Sequence, residues 1–188
     1  MIISEDIDII RNHIKSWKTH GEKIGFIPTM GNLHKGHISL ISSLKQAGAT
    51  KIVTSIFVNP TQFGINEDYA KYPRTLDSDE KKLSEHNVDL LFSPSTDIMY
   101  PKNPLSRLII EYPEYSNILC GENRPTHFSG VLWVVNKLFN IINPDIAIFG
   151  QKDYQQYILI KNMVKDLFMP ITIACSPIIR ESDGLALS

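Results

Sequence analysis

One stretch, residues 23–37 (KIGFIPTMGNLHKGH), constrains this chain more than any other. Ile24, Phe26 and Ile27 sit between polar flanks and stop at Pro28, the pattern of a short buried strand ending at a turn. Met30, Gly31 and Asn32 are turn residues, Gly31 being free to take a positive φ, and from Gly36 onward Ile38, Leu40, Ile41 and Leu44 recur at helical spacing. A strand–turn–helix unit is expected, with chemistry starting at Thr29 and with His34 and His37 at its mouth. Three residues apart, the histidines share one face of the first helical turn, beside backbone N–H groups that lack an intrahelical acceptor. That combination suits an anion.

A histidine pair separated by two residues also suits half of a metal site or a plain surface. Neither histidine has the glutamate of an HExxH pattern beside it, and Cys120 and Cys175 lie far apart with no paired spacing, which disfavours zinc. Gly36 between the histidines, directly after an apolar strand and a glycine turn, favours a nucleotide.

The 188 residues and 43% apolar content fit one sizeable domain. A net charge of -1 with scattered Lys and Arg indicates no nucleic-acid partner. The opening MIISEDIDIIRN has neither the basic start nor the cleavage pattern of a signal peptide, and no apolar run approaches the ~20 residues of a membrane span. Two cysteines without disulfide-type spacing fit a reducing compartment, so no membrane association and a cytoplasmic location are expected.

In chain order, Ser4 is expected to cap a helix whose stripe is Ile7, Ile10, Ile14 and Trp17. After the central strand come a helix over 36–47 stopped by Gly48 and a nearly continuous apolar strand over 51–58, together a βαβ unit. The loop 59–64 leaves that strand at its carboxyl end, where open parallel sheets place their ligand crevice, so the amides of Asn59 and Gln62 are candidate contacts; Asn-Pro and Gly also read as a simple turn. Residues 68–87 are polar and resume as helix through Leu76 and Leu83, and the acids Asp77, Asp79 and Glu80 are assigned to the helix dipole rather than to magnesium. A strand over 88–93, a proline-punctuated loop over 94–104, a short strand over 107–111 and a polar loop over 120–128 precede a core helix over 129–142. The strand 145–149 runs into Gly150, Gln151, Lys152 and Asp153, where Lys152 reaches a phosphate or forms an ordinary surface pair with Asp153. A helix past Gln156 and a strand over 170–176 follow.

Residues 28–37, PTMGNLHKGH, resemble the HxGH signature of the nucleotidyltransferase superfamily in the longer form PTMGxLHxGH of the pantothenate synthetase (pantoate–β-alanine ligase) family. FVNPTQF is similar to that family's FVNPxQF, and FGQKDYQQ to its FGEKDxQQ with Gln151 in place of glutamate. YPRT followed by acids, and a loop carrying Arg124 and His127 ahead of an HFxGV-like start, match as well. The end resembles READGLALSSRN and stops one serine in.

The resemblance implies an α/β, Rossmann-like open parallel sheet with helices on both faces, and an ATP-dependent ligase that condenses pantoate with β-alanine through a pantoyl adenylate. It implies catalytic roles for His34, His37 and Lys152, and ATP contacts from Pro28, Thr29, Met30, Gly31, His34, Gly36, His37, Gly150, Gln151, Lys152, Asp153, Ile179, Leu187 and Ser188. Gln62, Gln156 and Asn59 would hold pantoate and β-alanine, Mg²⁺ would accompany ATP, and the assembly would be a homodimer. No covalent nucleophile is needed, in keeping with the lack of a GxSxG elbow. Family members continue into a smaller lid domain; residues 1–188 are expected to form the ATP- and pantoate-binding domain without it, so that binding outlasts turnover. Alternatives are a related adenylyltransferase and a nucleotide-binding module without turnover, while a class I aminoacyl-tRNA synthetase would want a basic surface that is not present.

Overall fold

Parallel strand pairing organises the computed structural model, which describes residues 1–64, 69–101 and 108–188. Six strands, β1 (Ile2–Ser4), β2 (Ile24–Thr29), β3 (Lys51–Ile56), β4 (Leu90–Phe92), β5 (Ile146–Gly150) and β6 (Thr172–Ser176), lie in the order β1-β4-β3-β2-β5-β6. Every ladder is parallel.

Alternation along the strands divides the core into two layers. Phe26, Val53 and Phe92 pack with α1 (Ile7–Thr19), α6 (His127–Ile142) and α7 (Tyr154–Asp166) on one face. Their neighbours Ile27, Ile52 and Leu91 pack with α2 (Lys35–Gln46) and α3 (Leu76–Glu85) on the other, and two short helices, α4 (Thr96–Met99) and α5 (Pro113–Ser116), fall between β4 and α6. Each of these fully buried side chains stabilises the fold by about 1.5–3 kcal/mol. The expected α/β sheet with helices on both faces is therefore present.

Three local expectations are corrected. Ser4 does not cap α1: it ends the edge strand β1, paired to Phe92, and its hydroxyl accepts the Asp6 N–H at 3.0 Å. The cap is Asp6, whose carboxylate accepts the N–H groups of Asp8 and Ile9 at 2.7 and 3.1 Å. A three-residue strand is too short to announce itself by alternation, so β1 was not expected. Residues 108–111 hold no strand, whereas Arg107, the start of that expected strand, and Asp68 and residues 102–104 lie outside the described residues.

The third correction positions the site. β2 does not stop at Pro28 but continues through it to Thr29. The carbonyl of Ile24 accepts from Asp145 and that of Thr29 from Phe57, so even-numbered residues of β2 address the β5 side and odd-numbered ones the β3 side. Pro28, which has no N–H to donate, thus faces β5. The β2–β5 ladder reaches only Phe26↔Ala147, while β2–β3 runs on to Thr29↔Ile56. Beyond that point β2 and β5 part, at the place where the strand order reverses, and the carboxyl ends of the two strands open a crevice.

Candidate functional site

A cleft of about 450 Å³ occupies this crevice. Its walls carry Pro28, Thr29 and Met30 from β2 and the following turn, and His34, Gly36 and His37 from the start of α2. The loop after β3 contributes Asn59 and Gln62; Gly150 ends β5, the turn after it contributes Lys152 and Asp153, and Gln156 comes from α7. Ile179, Leu187 and Ser188 arrive from the end of the chain, where Arg180 bridges Ala186 in antiparallel fashion and Leu187 donates its N–H to the Ile179 carbonyl at 3.0 Å. Two expected residues, Gly31 and Gln151, do not line the cleft. Gly31 is buried at φ +86, making the turn rather than the wall, and Gln151 is exposed to solvent.

The histidines are oriented by the backbone. His34 is the N-cap of α2, its Nδ1 accepting the Gly36 N–H at 3.1 Å, and His37 Nδ1 accepts the His34 N–H at 3.3 Å. Because a backbone N–H only donates, both Nδ1 atoms are acceptors, and in each neutral ring the proton sits on Nε2. The ring of His34 folds over Gly36, where a Cβ would come within 2.9 Å of it, so the residue immediately before His37 has to be small. Burial pushes His37 down to about 4, helped by the neighbouring His34 and opposed by Asp79 and Asp153. Burial and then Lys152 push His34 down as well. At neutral pH the pair therefore offers two uncharged N–H donors rather than two cations.

The turn ahead of His34 is clipped by Asp79, assigned from sequence to the helix dipole. Its side chain is fully buried, and its two oxygens accept the N–H groups of Asn32 at 2.8 Å and Leu33 at 2.9 Å. Thr75 donates its hydroxyl to Asp79 at 2.9 Å, and Lys82 lies 3.7 Å away while donating to the Leu33 carbonyl at 2.7 Å. Such a carboxylate supports two successive positive-φ residues, Gly31 and Asn32. The missed signal was a buried acid on the core face of α3, one turn before Leu83.

Across the cleft, Gln62 is almost completely buried. Asn59, expected as a direct substrate contact, has its amide engaged by protein groups instead: Nδ2 donates to Gln62 Oε1 and to the Gly130 carbonyl, and Oδ1 accepts from Thr61 and Tyr100. His127 Nδ1 lies 2.8 Å from the Gln62 carbonyl, which only accepts, so it carries the proton, and Nε2 receives Arg124 at 3.1 Å. Arg124 thereby brings a guanidinium to a wall where sequence reading weighed only amides. Lys152 pairs with Asp153 at 3.3 Å and remains partly exposed. Tyr72 also lines the cleft, its phenol pushed up by burial and by Asp79. Among the described residues no three His, Cys, Asp or Glu side chains gather as metal ligands, so these residues build no magnesium cage of their own.

The family model for pantoate-beta-alanine ligase matches residues 2–188. The chain belongs to that family. Pantothenate synthetase from Shewanella woodyi is 53% identical over 188 residues, covering 100% of this chain and 66% of the relative. The chain thus spans just under two thirds of the length of such relatives. The pantothenate synthetase structure from Thermus thermophilus superposes with a TM-score of 0.92 at 42% identity, covering 100% of this chain and 66% of that one. The pantoate-beta-alanine ligase structure from Francisella tularensis, solved in complex with beta-gamma ATP and beta-alanine, gives 0.92 at 46% identity, with 100% and 71% covered. No helix among the described residues is long and apolar enough to cross a membrane.

Proposed function

We propose that residues 1–188 form the ATP- and pantoate-binding unit of an enzyme that joins pantoate to β-alanine, and that the cleft between β2 and β5 is its active site. The observation that carries this reading is the convergence of two neutral Nε2–H imidazoles at the capped start of α2, Lys152 and the Gln62 amide on one crevice at the point where strand order reverses. The pantoate carboxylate attacks the α-phosphate of ATP, forming an acyl–phosphate bond as the bond to pyrophosphate breaks. The β-alanine amine then attacks the acyl carbon, forming the amide, and AMP leaves.

His34 and His37 donate N–H groups to the α-phosphate as charge develops there, and Lys152 turns from Asp153 to the leaving pyrophosphate. Gln62 and Gln156 hold pantoate, and the Arg124 guanidinium balances a substrate carboxylate. Asn59 acts through Gln62. Magnesium accompanying the nucleotide would neutralise triphosphate charge, and because the described side chains offer it no ligand cluster no residue is assigned to hold it. Cys120 and Cys175 are exposed free thiols, and with them we place the protein in a reducing cytoplasm. A homodimer is proposed on the family likeness alone.

Exchange of labelled pyrophosphate into ATP tests the first half-reaction. Exchange that requires pantoate is expected; exchange independent of pantoate, or none at all, contradicts the reading.

A further inference from the structure

The polarity of the Gln62 amide is dictated from the backbone through Asn59. Asn59 Oδ1 accepts the Thr61 N–H at 3.2 Å, and Nδ2 donates to the Gly130 carbonyl at 3.2 Å. A backbone N–H cannot accept and a carbonyl cannot donate, so these contacts leave Asn59 one orientation. Its second Nδ2 hydrogen reaches Gln62 Oε1 at 3.1 Å, which turns Gln62 Nε2 toward Met30 Sδ, 3.1 Å away on the cleft wall. Tyr100 closes the relay by donating its hydroxyl to Asn59 Oδ1 at 2.7 Å. It does so from outside the cleft, with its ring 4.6 Å from Trp133 and under the Lys137 ammonium at 5.1 Å. Asn59 is 1% exposed and Tyr100 does not line the cleft, so neither member of the relay has to touch a ligand.

We propose that Asn59 and Tyr100 are positioning residues that fix the Gln62 amide with its N–H₂ group toward the cleft, so that this wall accepts a carboxylate and rejects a neutral amide donor. The inference rests on Gln62 being a contact for the pantoate carboxylate. A freely rotating glutamine would present its oxygen as readily as its nitrogen, and carboxylate selectivity would fall accordingly. Anchoring the amide on two backbone groups removes that ambiguity before substrate arrives.

Calorimetric titration of the full chain with pantoate, with the neutral amide of pantoate and with ATP tests the relay in two variants. Tyr100→Phe leaves Asn59 its backbone anchors but removes one donor, and is expected to weaken pantoate roughly 3- to 10-fold, the value of one net hydrogen bond, with ATP unchanged. Asn59→Asp replaces the donor facing Gln62 by an acceptor, so the Gln62 amide turns over. Pantoate is then expected to weaken about a hundredfold, its neutral amide by less than about tenfold, and ATP by less than about twofold. Equal losses for pantoate and its amide in Asn59→Asp, or unchanged pantoate affinity in Tyr100→Phe, overturn the relay. Should Asn59→Asp fail to fold, Tyr100→Phe decides alone. Absence of pantoate binding by the unsubstituted chain would overturn the functional reading itself, an outcome separate from loss confined to the variants.

Discussion

His37 Nδ1 accepts the backbone N–H of His34 at 3.3 Å, and the two rings lie 4.1 Å apart, centroid to centroid. This is a capping box in which an imidazole replaces the usual glutamate or glutamine at the third helical position. The side chain that seals α2 is the same one that offers an N–H to the cleft, so fold and chemistry are joined in one residue.

Replacing that residue separates the two contributions. His37→Ala is expected to remove both the cap, about 0.5–2 kcal/mol of stability, and one donor, about 2.7–4 kcal/mol of activation free energy or roughly 10²–10³ in adenylation rate. His37→Asn keeps an acceptor for the His34 N–H, so stability should largely return while the rate stays low. Thermal melting and quenched-flow adenylation measure the two effects. An unimpaired rate in a folded His37→Ala protein would remove the histidine from the chemistry.

The lowered position of His37, about 4, makes stability depend on pH in a definite direction. Between about pH 6.5 and pH 4 the unfolded chain binds a proton there that the folded chain does not, so stability falls as pH falls through this window and is fully present above it. With allowance for partial exposure the change is on the order of 2–3 kcal/mol. Melts from pH 7.5 to 4.5 should show the wild type losing more stability than His37→Asn. Parallel acid limbs for the two proteins would mean that His37 is not held neutral.

Asp79 is expected to matter for both folding and reaction, although no substrate need touch it. Asp79→Asn retains one carbonyl oxygen for the N–H groups of Asn32 and Leu33 but sets an N–H₂ group against the other donor. We expect a loss of about 2–4 kcal/mol in urea denaturation, together with impaired ATP binding as the turn before His34 loosens. An Asp79→Asn protein with wild-type stability would show that the clip is dispensable.

The strand–turn–helix unit was legible because it is local: apolar spacing in β2 and α2 and the turn residues between them lie within about twenty positions. Position after a strand end pointed to Gln62 and Lys152, whereas Gln156, Ile179, Leu187 and Ser188, which also line the cleft, came only from the family resemblance. What stayed hidden depends on contacts distant in sequence. Asp79 reads as a dipole acid until its oxygens are seen on Asn32 and Leu33, 47 and 46 residues away. Asn59 reads as a ligand contact until Gly130, 71 residues away, takes one of its hydrogens. Pro28 reads as a strand terminator because local sequence does not tell that β5 has already parted from β2 at that point.

Selectivity for an acid on the Gln62 wall gives a further test. Gln62→Glu places a carboxylate against the proposed position of the substrate carboxylate while leaving the proposed nucleotide contacts on β2 and α2 intact. Pantoate binding should weaken at least about tenfold more than ATP binding in titration calorimetry. Matching losses for both ligands would contradict the assignment of this wall to pantoate.

The central claim is that this cleft makes an acyl adenylate. Incubation of the chain with ATP, Mg²⁺ and pantoate, without β-alanine, followed by mass spectrometry of the bound fraction, tests it most directly. The account predicts a species with the mass of pantoyl adenylate, formed together with pyrophosphate and converted to pantothenate and AMP when β-alanine is added. ATP bound intact in the presence of saturating pantoate, with no adenylate and no pyrophosphate, would contradict it.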